Sequence, residues 1–253
     1  MSQESSTVSQ AIITYWSTRA EGYALRTEDE LQGTRGDAWQ AKLTRLLPLP
    51  PHVPVLDVGC GPGLFTLLAA RMGFTATGVD ACPAMLEEAR HNAQKAHLEA
   101  SFFEADAAHL PFPDESFSAV ISRYVVWNLP DPVAALTEWR RVLKPGGFIV
   151  YADGNHYRYL TDPDYARLAA TTAVPYGHEQ RFVLNVDTLP MENIAQTLPL
   201  SAEDRPGTDV NLLLSLGLQN VIVTDVETAQ TQNPHSGTTR TLITNFMIRA
   251  QKA

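Results

Sequence analysis

Cysteine is scarce in this sequence: Cys60 and Cys82 are the only two in 253 residues. Neither has metal-ligand or redox spacing, so a disulfide framework, a zinc ribbon and a dithiol redox centre are all excluded. Reduced thiols in a cytoplasmic protein are the expectation. No run of about 18 apolar residues occurs, so nothing is expected to span a membrane. The first ten residues, Met1 to Gln10, are polar and rich in Ser. They have no basic start and no apolar stretch, which does not read as a signal peptide, and they are expected to fray. Positive charge is also short. Lys and Arg number 19 against 28 Asp and Glu, a formal net charge of −9, and no basic cluster exceeds Arg140-Arg141. Such a surface repels phosphate backbones, and no nucleic acid partner is expected. Internal repeats are absent. What remains is ordinary globular material, 44% hydrophobic, long enough for one large domain with a sizeable insertion.

The apolar pattern changes twice along the chain. Ala11 to Leu47 reads as helix, broken near Gly33–Gly36 and ended by Pro48, Pro50 and Pro51. From Val53 short apolar strands alternate with helices. Strands are predicted at Val53–Val58, Thr75–Val79, Ala100–Phe103, Phe117–Ser122 and Phe148–Ala152, and helices at Leu64–Met72, Pro83–His97 and Pro132–Leu143. That alternation indicates an α/β fold with a parallel sheet covered on both faces. The pattern lapses between residues 155 and 206. A helix over Thr208–Leu216, capped by Thr208 or Asp209, is followed by strands at Asn220–Val226 and Thr241–Ala250. Their connection is too short for a helical crossover, so these two strands should pair antiparallel.

The strongest local signal is Val55-Leu-Asp-Val-Gly-Cys-Gly-Pro-Gly63. Gly59, Gly61 and Gly63 follow a strand and precede a helix, where side chains would block a ligand from the backbone. The spacing is G-x-G-x-G and not the dinucleotide G-x-G-x-x-G. Asp57 at the strand end is a poor neighbour for a pyrophosphate and a good one for an ammonium group, which favours S-adenosylmethionine (SAM) over NAD. Asp80 ends the second strand, where an acid accepts ribose hydroxyls, and Asp106 follows the third, within reach of an adenine amino group. Each acid alone would read as a cap or turn residue. Three at the ends of successive strands beside a glycine loop converge on the ligand crevice of a doubly wound sheet.

VLDVGCGPG, GVDACPAML, EADAAHLPF, FSAVISRYVVWNLPDP and RVLKPGGFIV, in that order, resemble the class I SAM-dependent methyltransferase family. More narrowly they are similar to its small-molecule, methyltransferase type 11-like branch. The resemblance covers residues 50–153 and implies a doubly wound, seven-stranded, mostly parallel sheet with an antiparallel last strand and helices on both faces. It implies that Gly59, Gly61 and Gly63 line the methionine part of SAM and that Asp57 orients its amino group. Asp80 would hold the ribose, Ala81 and Met85 would flank the adenosine, and Asp106 and Ala107 would meet the adenine. Ser122 and Arg123 would lie near the sulfonium. Cys60 is either a small buried filler or a direct contact. Tyr15, Arg19 and Tyr23 resemble the leading helix that covers SAM, and they either bind the methionine carboxylate or simply pack.

These readings lead to a SAM-dependent methyltransferase acting on O, N or C of a small-molecule metabolite, with S-adenosylhomocysteine (SAH) as product. An RNA- or protein-modifying enzyme, with the Thr228–Arg240 loop as its spare surface, and a non-catalytic SAM-binding module are the alternatives. Residues 1–47 are expected to form a helical cap or lid and 48–253 the SAM-binding domain, with 155–206 as a substrate-side insertion. Tyr157, Tyr159, Tyr165, Tyr176, Phe182, Arg158, Arg167 and Arg181 make that insertion a lid for a planar or anionic acceptor, a packing layer or a homodimer contact. If the acceptor needs a base, His156 in Asp153-Gly-Asn-His156 is the choice, because an imidazole suits proton transfer near neutral pH. His178 and His109 are weaker candidates. With Ser122 where metal-dependent relatives carry an Asp, no metal is expected.

Overall fold

The computed structural model describes residues 3–173, 178–234 and 236–253, with side chains from Thr7 onward. Tyr176 lies outside the described residues. The N-terminal stretch is helical from Gln3: α1 (Gln3–Gln32) runs for 30 residues to Gly33, and α2 (Thr34–Leu46) follows directly. The core then alternates as β1 (Pro54–Val58), α3 (Leu64–Arg71), β2 (Thr75–Asp80), α4 (Pro83–Ala96), β3 (Ser101–Glu104), β4 (Phe117–Arg123), α5 (Pro132–Val142) and β5 (Leu143–Gly154). Local chemistry sets the helix ends. Pro83 opens α4, and His97 closes it in the left-handed conformation. At α5 the Asp131 carboxylate accepts from Ala134 N–H ahead of Pro132, while Arg140 and Arg141 face the carbonyl end.

Past β5 lie three short helices, α6 (Pro163–Thr171), α7 (Gln180–Val183) and α8 (Leu189–Ala195), where the sequence shows no clean periodicity. Then come α9 (Gly207–Ser215), β6 (Leu218–Gln232) and β7 (Thr239–Lys252). Asp209 does not cap α9. It is buried and ion-paired with Arg205. The stretch 228–240 is a continuation of a long hairpin, not a spare loop: Thr228 pairs with Ile243 and Gln232 with Thr239.

The sheet has seven strands in the order β3-β2-β1-β4-β5-β7-β6. The first five run parallel, and β7 is antiparallel to both β5 and β6. The predicted doubly wound fold with an antiparallel last strand is therefore the observed one. Strand alternation sorts the core into two layers. Leu56, Val58, Val120, Ile149 and Ile248 face α5 and α9, meeting Leu136, Trp139 and Leu213. Val55, Ile121, Val150 and Met247 face the other way, onto Phe65 and Leu68 of α3 and Leu43 and Leu46 of α2. Burying each such side chain contributes about 1.5–3 kcal/mol. α2 is thus a layer of the main core, whereas α1 leans on α4 through Ala20, Cys82 and Met85. Among the described residues no helix is long and apolar enough to cross a membrane.

Candidate active site

The carboxyl ends of β1, β2, β4 and β5 open into one cavity of about 1040 Å³, roofed by α1 and α2 and walled by the segment after β5. Its position follows from the topology. β1 sits between β2 and β4, so the chain crosses to opposite faces of the sheet at this point and leaves a crevice beyond the strand ends.

One half of the cavity is polar. Asp57 is buried at the end of β1. Its Oδ2 accepts from Thr66 Oγ1 at 2.7 Å, while Oδ1 is enclosed and has no hydrogen-bond partner among the described residues. Burial pushes its pKa up to about 7, against the hydrogen bonds of Thr66 and the charge of Arg123, both of which lower it. Asp80 tethers the glycine loop, accepting from Gly61 N–H at 2.8 Å and from Cys82 N–H at 2.9 Å. Burial also raises its pKa, against those backbone hydrogen bonds. Ala81, Met85, Asp106 and Ala107 complete this wall. Asp106 accepts from Ala108 N–H at 2.9 Å and lies 3.2 Å from Nδ1 of His109, which accounts for that histidine. Cys60 reaches the cavity edge, and burial pushes its thiol well above the usual range, so it remains a protonated filler.

The three glycines do different work. All have positive φ, but a Cβ on Gly59 would lie 2.4 Å from Val125 Cγ2, so its constraint comes from the protein and not from a ligand. Gly63 caps α3 against Ala89 and Phe102 and does not line the cavity. Ser122 is also displaced from its expected place: its hydroxyl is fully buried and donates to Val58 O at 2.7 Å, tying β4 to β1. Arg123, the next residue on the strand, points the other way into the cavity. It pairs with Glu30 at 2.8 Å among the rings of Trp39, Phe65 and Tyr124.

On α1, Tyr15 and Tyr23 line the cavity, whereas Arg19 does not. Arg19 is buried with its guanidinium 5.2 Å from the Tyr23 ring. Arg26, Thr27 and Glu30 were missed in the sequence and do line it. Tyr23, Thr27 and Glu30 recur at helical spacing, a stripe that was legible as a face but not as a cavity wall.

The other half of the cavity is aromatic. His156 stands edge-on to Tyr124 at 5.0 Å and to Trp127 at 5.9 Å, and Trp127 stacks at 4.8 Å on Tyr157. Asn128 also lines the cavity, with Oδ1 unpartnered among the described residues. Tyr159, Tyr165 and His178 extend the wall. The arginines of the insertion are spent on ion pairs: Arg158 with Asp162, Arg167 with Asp164, and Arg181 with Asp29. Phe182 is buried, its backbone carbonyl pressed onto Gly22 of α1. Among the described residues no three His, Cys, Asp or Glu side chains converge as a metal site.

The doubly wound sheet thus carries an acidic, glycine-looped crevice facing an aromatic chamber. Its fold matches a SAM-dependent methyltransferase from Aquifex aeolicus with a TM-score of 0.54, at 15% identity, over 85% of this chain and 89% of that one. Residues 56–151 match the family model for a methyltransferase domain. A demethylmenaquinone methyltransferase of Tropheryma whipplei is 34% identical over 127 residues, covering 50% of this chain and 52% of that protein. A 2-methyl-6-phytyl-1,4-hydroquinone methyltransferase of Synechocystis is 41% identical over 108 residues, 42% of this chain and 34% of its own length. The matches thus span about half or less of these curated relatives.

Proposed function

We propose that this chain is a SAM-dependent methyltransferase whose acceptor is a small planar aromatic molecule. The observation that carries the reading is a single cavity in which the two halves meet at Arg123 and Tyr124. The polar half fits SAM on its own chemistry. An enclosed, unpartnered oxygen of Asp57 suits an ammonium group, and Asp80 keeps lone pairs for ribose hydroxyls beyond its two backbone bonds. Ala81 and Met85 offer apolar surface to an adenosine, with Asp106 and Ala107 at its far end. Arg123 and Arg26 supply positive charge for a carboxylate near Asp57.

When bound, SAM supplies an activated methyl on a sulfonium. The protein then has to align the acceptor, exclude water and provide aromatic faces that attract the cation. Tyr124, Trp127 and Tyr157 suit those tasks, and His156 among them suits proton transfer. In this reading α1 and α2 are a cap over the cofactor half and 155–206 walls the acceptor half. The relatives named above for a demethylmenaquinone and a phytyl hydroquinone favour an acceptor built on a planar ring.

Incubation with methyl-labelled SAM and fractionated cell extract tests the reading. Label is expected in the dialysable small-molecule fraction, with SAH formed. Label in RNA or in protein would replace this reading by a macromolecular target. SAM binding with no label anywhere would replace it by a non-catalytic module.

A further inference from the structure

We propose that Asp153 is a positioning residue that fixes the tautomer of His156, so that Nδ1 of this histidine receives the proton of a hydroxyl group on the acceptor. The inference rests on the function proposed above and adds the class of nucleophile and the residue behind the base.

Asp153 ends β5 and is completely buried. Four groups surround its carboxylate. Oδ1 accepts from Gly154 N–H at 2.8 Å and faces His156 Nε2 at 3.6 Å, while Oδ2 accepts from Trp127 N–H at 2.9 Å and from Arg205 Nη2 at 3.0 Å. Three fixed donors leave the carboxylate no freedom to rotate. His156 Nε2 is itself enclosed, and among the described residues it has no hydrogen-bond partner. Among the described residues the Asp153 oxygen is its only acidic neighbour within 4 Å. A separation of 3.6 Å is long for a hydrogen bond, as is common for catalytic pairs before substrate closes the site. An acceptor in that position holds the proton on Nε2 and leaves the lone pair on Nδ1. Nδ1 makes no hydrogen bond within the described residues and is not among the enclosed atoms, so it is the nitrogen open to the space that His156 lines.

Charge balance points the same way. Arg205 is bound at 2.8 and 2.6 Å to Asp209, which also accepts from the Tyr151 hydroxyl at 2.9 Å. Burial holds that phenol neutral. Asp153, Asp209 and Arg205 are all buried, so the cluster contains two carboxylates and one guanidinium. An imidazolium at His156 completes the balance at the moment the acceptor loses its proton. In the step, the acceptor O–H bond breaks and its proton goes to Nδ1. An O–CH3 bond forms and the S–CH3 bond of SAM breaks, its electron pair remaining on sulfur in SAH. The positive charge moves from the sulfonium to the imidazolium, beside the Asp153 carboxylate.

The test needs no acceptor. Full-length protein labelled with 15N-histidine is saturated with SAH, and its long-range proton–nitrogen spectrum identifies the neutral tautomer of each histidine, with His156→Gln assigning the signal. Neutral His156 is expected to carry its proton on Nε2. In Asp153→Asn the population should shift toward Nδ1–H, with SAH affinity unchanged. An Nδ1–H tautomer in the wild-type protein overturns the proposal, as does an unaltered tautomer in Asp153→Asn. An amide at position 153 must turn its NH2 toward one of the fixed donors. If that variant does not fold, the wild-type tautomer decides alone. Failure of the wild-type protein to bind SAH would overturn the proposed function instead, a result read independently of the tautomer.

Discussion

If the free oxygen of Asp57 receives the ammonium of the cofactor, then binding must be coupled to the ionisation of this carboxyl. Burial raises its pKa from 3.8 to about 7, so the folded protein holds the proton more tightly than the unfolded chain does. The sign follows from linkage: the stabilisation from the protonated form is complete below about pH 4 and is lost as pH rises through about 7. Above that pH the ligand-free protein carries a buried carboxylate with one oxygen unpaired, which an ammonium relieves. With a pKa of about 7, the ionised fraction rises about tenfold from about pH 6 to about pH 8. SAH affinity should therefore rise about tenfold over that interval. At about pH 7 binding should release about half a proton, visible as a dependence of the calorimetric heat on the ionisation enthalpy of the buffer. Asp80 is also raised by burial, so attribution needs the variant. Asp57→Asn should flatten the profile and abolish the proton release. A flat wild-type profile, or the same slope in Asp57→Asn, would refute the assignment.

Other consequences are as direct. Asp80→Ala removes the anchor of the glycine loop at Gly61, the bond to Cys82 N–H and the proposed ribose acceptor, and should weaken SAH binding at least about tenfold by titration calorimetry. Arg205→Met leaves Asp153 and Asp209 buried without a cation and should cost about 3–5 kcal/mol in urea denaturation; a loss under about 1 kcal/mol would contradict the buried network. In Gly22→Ala the new Cβ would lie 1.9 Å from the Phe182 carbonyl oxygen, so α7 must move off α1. Hydrogen exchange in Gln180–Val183 should rise while the sheet strands keep their protection; unchanged exchange there would mean the contact does not hold the insertion in place.

Much of this molecule could be read from residues in order. Short apolar runs alternating with helices define the parallel sheet, because β1, β4 and the latter part of β5 are buried on both faces and read as continuous hydrophobic segments. The short link between the last strands fixed their antiparallel pairing, although the hairpin is longer than expected because Thr, Gln and Glu on β6 hide its apolar alternation. The places of Asp57 and Asp80 at the carboxyl ends of β1 and β2 were legible because each closes an apolar run within two residues of a glycine. The burial of Ser122 was hidden because motif position gives the strand end but not the direction of the side chain, and its hydroxyl turns inward to Val58 O; Gly63 lies one step past the cavity as the cap of α3. The insertion was illegible because α6, α7 and α8 are short and depend on tertiary contacts such as Gly22 with Phe182. The burial of Asp153 could not be foreseen, since its partner Arg205 lies 52 residues away on the far side of that insertion. Asp209 looked like a helix cap for the same reason.

The most direct test of the central claim is isothermal titration of the purified chain with SAM, SAH and NAD. The account predicts one site per chain, micromolar binding of SAM and SAH, and no heat from NAD. Binding of NAD, or silence with all three, would mean that the crevice between Asp57 and Asp80 does not hold a sulfonium nucleoside, and the methyltransferase reading would fall with it.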